Sequence, residues 1–252
     1  MPPVADFAWR QNLLQAAASH LRTSAREHLP ELQSFVVLLP NQTAVSAFRL
    51  QLLKTLQADH PAIIPPWIGT LKDWVLQHIP ADGQYSLINE QGRRLVFVET
   101  LKLYPKLFRE ENKWQVTVAL LKLFDELTLQ QTDIPDAQTW QTFIRNAYGI
   151  DEHRHCNQEA AMVHALWHAW HQQLEADNLR DSSGDYVNRL HRAQAMLQQN
   201  RLDDVTAFYL VGDTARAGCE QRFLAQLAQQ KQCLFFQHCE PDTPATDSYE
   251  EF

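Results

Sequence analysis

The chain reads as an α/β protein whose parallel sheet is interrupted by a large helical insertion. Three observations predict this. Residues 34–54 run strand, tight turn, helix, the unit from which parallel sheets are built. The same pattern returns at residues 205–229. Between them, residues 86–200 carry helical periodicity and no strand-like run.

Each element can be justified in order. Residues 6–26 read as a helix, with Leu13, Leu14, Ala17, Ala18 and Leu21 at helical spacing and Asp6 placed to cap the start. Pro30 ends it. Phe35, Val36, Val37, Leu38 and Leu39 form a continuous apolar run, which suits a strand buried on both faces. Pro40 stops that run, and Asn41 or Thr43 can accept from the first free N–H groups of the following helix. That helix, residues 43–57, buries Val45, Phe48, Leu52 and Leu56. Residues 62–64 read as a second strand closed by Pro65 and Pro66. A helix over 70–78 follows, and the helix between the two strands makes them parallel with a right-handed crossover.

Five helices are expected in the insertion: residues 86–104, 114–129, one containing Trp140, Phe143 and Ile144, then 157–176 and 182–197. Their aromatic residues fit a bundle core better than a base-stacking surface. The α/β pattern resumes with a strand at 205–211 ending Gly212-Asp213-Thr214, a helix at 215–229 and a strand at 233–236. The tail from Glu240 onward holds five acidic residues, no basic ones and two prolines, a composition expected to stay loose. The resulting division is 1–84 and 201–239 for the α/β domain, 85–200 for the helical part and 240–252 for the tail.

Composition narrows the function classes. The 252 residues are 45% hydrophobic, enough for a large core. Seven glycines are few, which favours helix. The four cysteines are irregularly spaced and read as reduced thiols in a cytoplasmic protein. No apolar run reaches the roughly 20 residues of a membrane span, and the N-terminus has no basic-then-apolar leader. A net charge of −8 argues against a broad nucleic-acid-binding face, though it leaves room for a local basic strip.

The strand ending LLPN, followed by a helix with Ala44, Ala47, Phe48, Arg49, Leu52 and Leu53, resembles the N-terminal region of AddB-type proteins. These are RecB-like PD-(D/E)XK nuclease subunits of bacterial double-strand-break repair. The segment Ala62-Ile63-Ile64-Pro65-Pro66 and then Gly69-Thr70-Leu71-Lys72-Asp73 is similar to theirs. A looser resemblance runs on to Phe208-Tyr209-Leu210-Val211-Gly212. The resemblance implies a RecA-like, P-loop-like domain interrupted by a helical subdomain, as in superfamily 1 helicases. It covers most of this chain but only about the first third of such proteins. It implies a nuclease domain, with its Mg²⁺, downstream of Phe252 and no cofactor in this chain. The implied partners are DNA, as a single strand or a duplex end, and an AddA-type helicase subunit, with no membrane.

The motifs of catalysis are missing. ATP hydrolysis on such a sheet needs GxxxxGK[ST], whose backbone N–H groups and lysine hold phosphate. No Gly-Lys pair exists in the chain. Asp213 stands where a strand-end carboxylate would hold Mg²⁺, but no glutamate follows it, and it reads more simply as a helix N-cap. The Glu-x-Lys at Glu111-Asn112-Lys113 lies in a polar turn and lacks the strand setting of a nuclease. Asp151, Glu152, His153, His155 and Cys156 precede His164, His168 and His171, which share a helix face and are weak metal candidates against an ordinary amphipathic helix. Neither HExxH, a second Cys pair nor a GxSxG elbow is present.

For phosphate contact, the candidates are Arg93, Arg94, Lys102, Lys106, Arg109 and Lys113, with Arg49 and Lys54 weaker; a solvated helix face is the simpler explanation of them. Asn41, Gln42, Thr70 and Thr214 would face DNA if the helicase resemblance holds. Three functions are therefore carried forward: an ATPase-inactive helicase-like part of a DNA-repair exonuclease subunit, a protein-interaction scaffold without a nucleic-acid role, and a small-molecule enzyme with its ligand at the strand ends near Pro40 and Gly212.

Overall fold

The computed structural model describes residues 4–7, 12–57, 62–102, 113–130, 154–202, 204–215 and 217–238. The described residues within 1–79, 192–216 and 220–238 form one compact unit, and those within 80–191 and 217–219 a second.

The first unit is built on a five-stranded parallel sheet in the order β1-β7-β6-β2-β3. Its strands are β1 (Val4–Phe7), β2 (Phe35–Leu38), β3 (Trp67–Gly69), β6 (Ala207–Val211) and β7 (Gln232–His238). The chain between β2 and β3 forms α2 (Gln42–Leu56), and that between β6 and β7 forms α8 (Gly218–Gln230). β2 and β6 lie side by side at the sheet centre, with Val36 opposite Phe208, and both are buried throughout. Continuous apolar runs are what a strand covered on both faces requires.

Alternate residues of these strands feed two layers. Phe35, Val37, Leu39, Tyr209 and Val211 pack with Val45, Phe48 and Leu52 of α2. Ala17, Ala18 and Leu21 of α1 (Leu13–Ser24) join the same cluster. On the other face, Phe208 meets Trp74 of α3 (Leu71–His78), which also contacts Phe223 of α8.

The second unit has its own core. It contains α4 (Glu90–Lys102), α5 (Lys113–Gln130), α6 (Arg154–Ala176) and the start of α7 (Ser182–Gln198). Phe97, Leu101, Leu121, Phe124, Leu166, Trp167, Trp170 and Leu174 form its hydrophobic cluster. Phe97 is the hinge of the packing, edge-on to both Phe124 and Trp170 at 5.5 and 5.4 Å.

Several sequence expectations need correction. Residues 4–7 are a strand, not part of a helix begun at Asp6. Their partners lie at the far end of the sequence, Val4 opposite Phe235, so local periodicity carries no trace of them. Asn12, not Asp6, caps α1, its Oδ1 accepting from Leu14 N at 3.1 Å. The second strand follows Pro65 and Pro66 instead of preceding them. A proline has no N–H to give a ladder, and Ile64 makes only an isolated bridge to Glu31.

The stretch 86–200 is not strand-free: β4 (Ser86–Leu87) and β5 (Leu179–Arg180) pair in parallel. Two-residue strands are too short for an alternating pattern to register. α4 starts at Glu90 because Asn89 caps it, accepting from Gly92 N at 2.7 Å. α8 starts at Gly218, so Asp213 is not its cap. The expected helix with Trp140, Phe143 and Ile144 lies outside the described residues, as does the tail.

Candidate functional site

In an all-parallel sheet every strand delivers its carboxyl end to the same edge. β2 continues to β3 on one side, while β6 continues to β7 on the other. The connections therefore diverge between β2 and β6, and a crevice opens at such a switch point.

Two polar clusters form along the carboxyl edge, one after β2 and β3 and one after β6. Asn41 Oδ1 accepts from Ala44 N at 2.9 Å and so caps α2. Gln42 Nε2 donates to Asp73 Oδ2 at 2.6 Å, and Thr70 Oγ1 donates to the same oxygen at 2.7 Å. Thr70 and Asp73 also form a capping box, with Asp73 N donating to Thr70 Oγ1 at 3.2 Å and Thr70 N donating to Asp73 Oδ2 at 3.3 Å. Asn41, Gln42 and Thr70, chosen from sequence, thus lie at neighbouring strand ends. Asp73 completes the group; its signal was the Thr-x-x-Asp spacing in Thr70-Leu71-Lys72-Asp73.

The second cluster follows β6. Gly212 has φ +76°, a left-handed conformation that a side chain would strain. Its N–H donates to Phe236 O at 2.8 Å, which ties the turn to β7. Beyond it, Asp213 is exposed and Thr214 half-buried. They border a cleft of about 1110 Å³. Gln221, Gln229 and Gln237 supply carboxamides, while Leu13, Leu224 and Phe235 supply apolar wall. Among the described lining residues none is basic, and none is a cysteine or histidine. The described lining can donate and accept hydrogen bonds and make apolar contact; among the described residues it offers no basic side chain to balance phosphate.

The basic candidates divide. Arg93 is 2% exposed, and its guanidinium grips Asp125 through Nη1 at 3.0 Å and Nη2 at 2.8 Å. Nη2 also donates to Leu121 O at 2.9 Å, and Nε lies 3.6 Å from Asp181. Ser183 Oγ donates to Asp125 at 2.7 Å, and Asp181 Oδ1 accepts from Gly184 N at the start of α7. Arg93 is therefore an internal strut of the helical unit. Lys113 is buried too. Arg94 pairs with Glu90 and Lys102 with Glu99 on the surface. Arg49 is exposed, with Nη2 donating to Ile68 O at 3.0 Å. Lys106 and Arg109 lie outside the described residues. The Asp125–Asp181–Ser183 partners were missed from sequence. Their one local mark is Asp181-Ser182-Ser183-Gly184, a helix-start signal.

Of the histidines, His168 and His171 are described on α6. His171 lies edge-on to Trp167 at 4.7 Å, with Nε2 3.5 Å from Thr128 Oγ1. Burial pushes its pKa down, opposed by the Asp181 carboxylate. Among the described residues, no three His, Cys, Asp or Glu side chains gather to hold a metal. His164 and the cluster from Asp151 to Cys156 lie outside the described side chains. Cys233 is a buried free thiol whose pKa burial pushes up to about 12, far from a reactive thiolate.

No described helix is long and apolar enough to cross a membrane. Compared with known protein families and with curated proteins, the chain matches none.

Proposed function

We propose that this chain is an ATPase-inactive, helicase-like part of a DNA-repair exonuclease subunit, whose work is to dock a motor partner and meet DNA at its strand-end loops. The observation that carries the reading is the carboxyl edge of the parallel sheet. Its turns are built from Pro40-Asn41, Gly69-Thr70 and Gly212-Asp213, with side-chain amides and hydroxyls in place of a glycine-rich cradle and lysine. In this reading the sheet is RecA-like, the helical unit is an insertion between β3 and β6, and the nuclease with its Mg²⁺ belongs to sequence beyond Phe252. The protein would act in the cytoplasm.

Fluorescence anisotropy with partly single-stranded DNA tests the nucleic-acid half. Binding that weakens as salt rises supports it; absence of binding at low salt removes it for this chain. Co-elution with a purified AddA-type helicase subunit tests the docking half.

A second reading, a protein-interaction scaffold without a nucleic-acid role, draws on the basic residues. Arg93 and Lys113 are buried, and Arg94 and Lys102 each sit against a glutamate. It predicts co-elution with a protein partner and no DNA affinity.

A further inference from the structure

The layer formed by α1 and α2 on one face of the sheet departs from the rest of the chain. With 30 acidic residues against 22 basic, the protein is strongly anionic. Yet neither α1 nor α2 contains an aspartate or glutamate, while the two helices hold Arg22, Arg49 and Lys54. α2 turns Val45, Phe48, Leu52 and Leu56 inward. Its opposite side should be polar in a helix that only meets water. Instead Leu50 is 62% exposed and Leu53 45% exposed.

The spacing has a shape. Ala47, Leu50 and Leu53 are three residues apart, so they form one ridge along the outer side of α2, and all three are exposed. Such a ridge is what a second helix receives in its groove, and the small Ala47 at one end lets the backbones approach. Lys54, exposed next to Leu53, adds positive charge at the other end.

We infer that the outer ridge of α2 (Ala47, Leu50, Leu53, Lys54) is a docking surface for an acidic amphipathic helix of a partner protein. The ridge selects a helix by its three-residue period. The leucines select an apolar stripe, and Lys54, on a pair of helices without a carboxylate of their own, selects flanking carboxylates. Nucleic acid would use the cations and leave two leucines in water, so a phosphate ligand accounts for half of the surface. The inference rests on the docking half of the proposed function and names its surface.

The test uses the full chain and a fluorescein-labelled designed peptide whose helix carries leucines along one face and glutamates on both flanks. Three comparisons accompany it: a scrambled peptide of the same composition, a lysine-flanked version, and vesicles of phosphatidylglycerol or partly single-stranded DNA. The acidic peptide should bind at low salt. The exposed double substitution Leu50→Ser with Leu53→Ser should weaken it by about tenfold, and Lys54→Glu by a few-fold, with unchanged circular dichroism. No binding of the acidic peptide, or equal binding by wild type and both variants, overturns the inference. So does loss of vesicle or DNA binding in the variants while peptide binding persists. Co-elution with the helicase subunit separates the two claims. If wild type and the double variant co-elute equally, docking stands and this surface falls. If neither co-elutes, docking falls, and the peptide result alone decides the surface.

Discussion

Arg93 shows how much one side chain can decide. Its guanidinium is buried against Asp125 and lies near Asp181, so replacing it with methionine roughly keeps the volume but takes the cation from two carboxylates, which retain only Ser183 Oγ and Gly184 N among the donors named above. Asp125 is partly solvated, which places the expected loss at the lower end for buried pairs, about 3 kcal/mol in urea denaturation. Arg94→Ala, one residue along but half in solvent, should change stability by less than about 0.5 kcal/mol. His171 sets a pH dependence. Because burial holds its folded pKa below the ordinary 6.5, the unfolded chain takes up a proton that the folded chain refuses. Its stability contribution is therefore complete above pH 6.5 and declines as the pH falls below that value. His171→Gln should flatten this part of the stability profile between pH 7.5 and 5.5, read from denaturation midpoints against wild type.

At the scale of elements, the legible parts were those whose reason is local. β2, α2 and α3 could be read because an apolar run, Pro40, and the Asn41 and Thr70 caps all lie within a few residues of one another. The cap makes its own prediction: Thr70→Ala should cost about 1 kcal/mol in the denaturation of the first unit. β1 and β3 were unreadable or shifted for the opposite reason. β1 exists because β7 offers it a ladder more than two hundred positions away in sequence. β3 is located by which residues after Pro66 can reach β2, with Val36 opposite Trp67. The site shows the same split. Asn41, Gln42 and Thr70 could be named from the strand-turn-helix grammar. The inward fate of Arg93 depends on Asp125 and Asp181, and neither is adjacent to it in sequence.

For the whole molecule, two hydrophobic clusters that share no residue imply two cooperative units. A single unfolding free energy then describes neither. Cys233 is a built-in reporter for the first unit, since its thiol is buried and its thiolate strongly disfavoured. In a urea series at pH 8, alkylation of Cys233, read by peptide mass, should follow loss of the sheet. Arg93→Met should move the helical unit's transition to lower urea while leaving the Cys233 midpoint in place. A common shift of both would show the two cores melting as one.

Among the described residues, the short strand β3 is the last in the sheet on its side. Its pairing residues face β2, which leaves the Ile68 carbonyl directed away from the sheet, and there Arg49 meets it. Pro65 and Pro66, just before the strand, can donate nothing to a newcomer. An open sheet border is a template on which other chains can crystallise into fibrils. The chain guards this border with a guanidinium and two rings without N–H groups. Arg49→Ala removes the plug and should leave the monomer folded but prone to self-assembly, seen as rising light scattering and thioflavin fluorescence at concentrations where wild type stays clear.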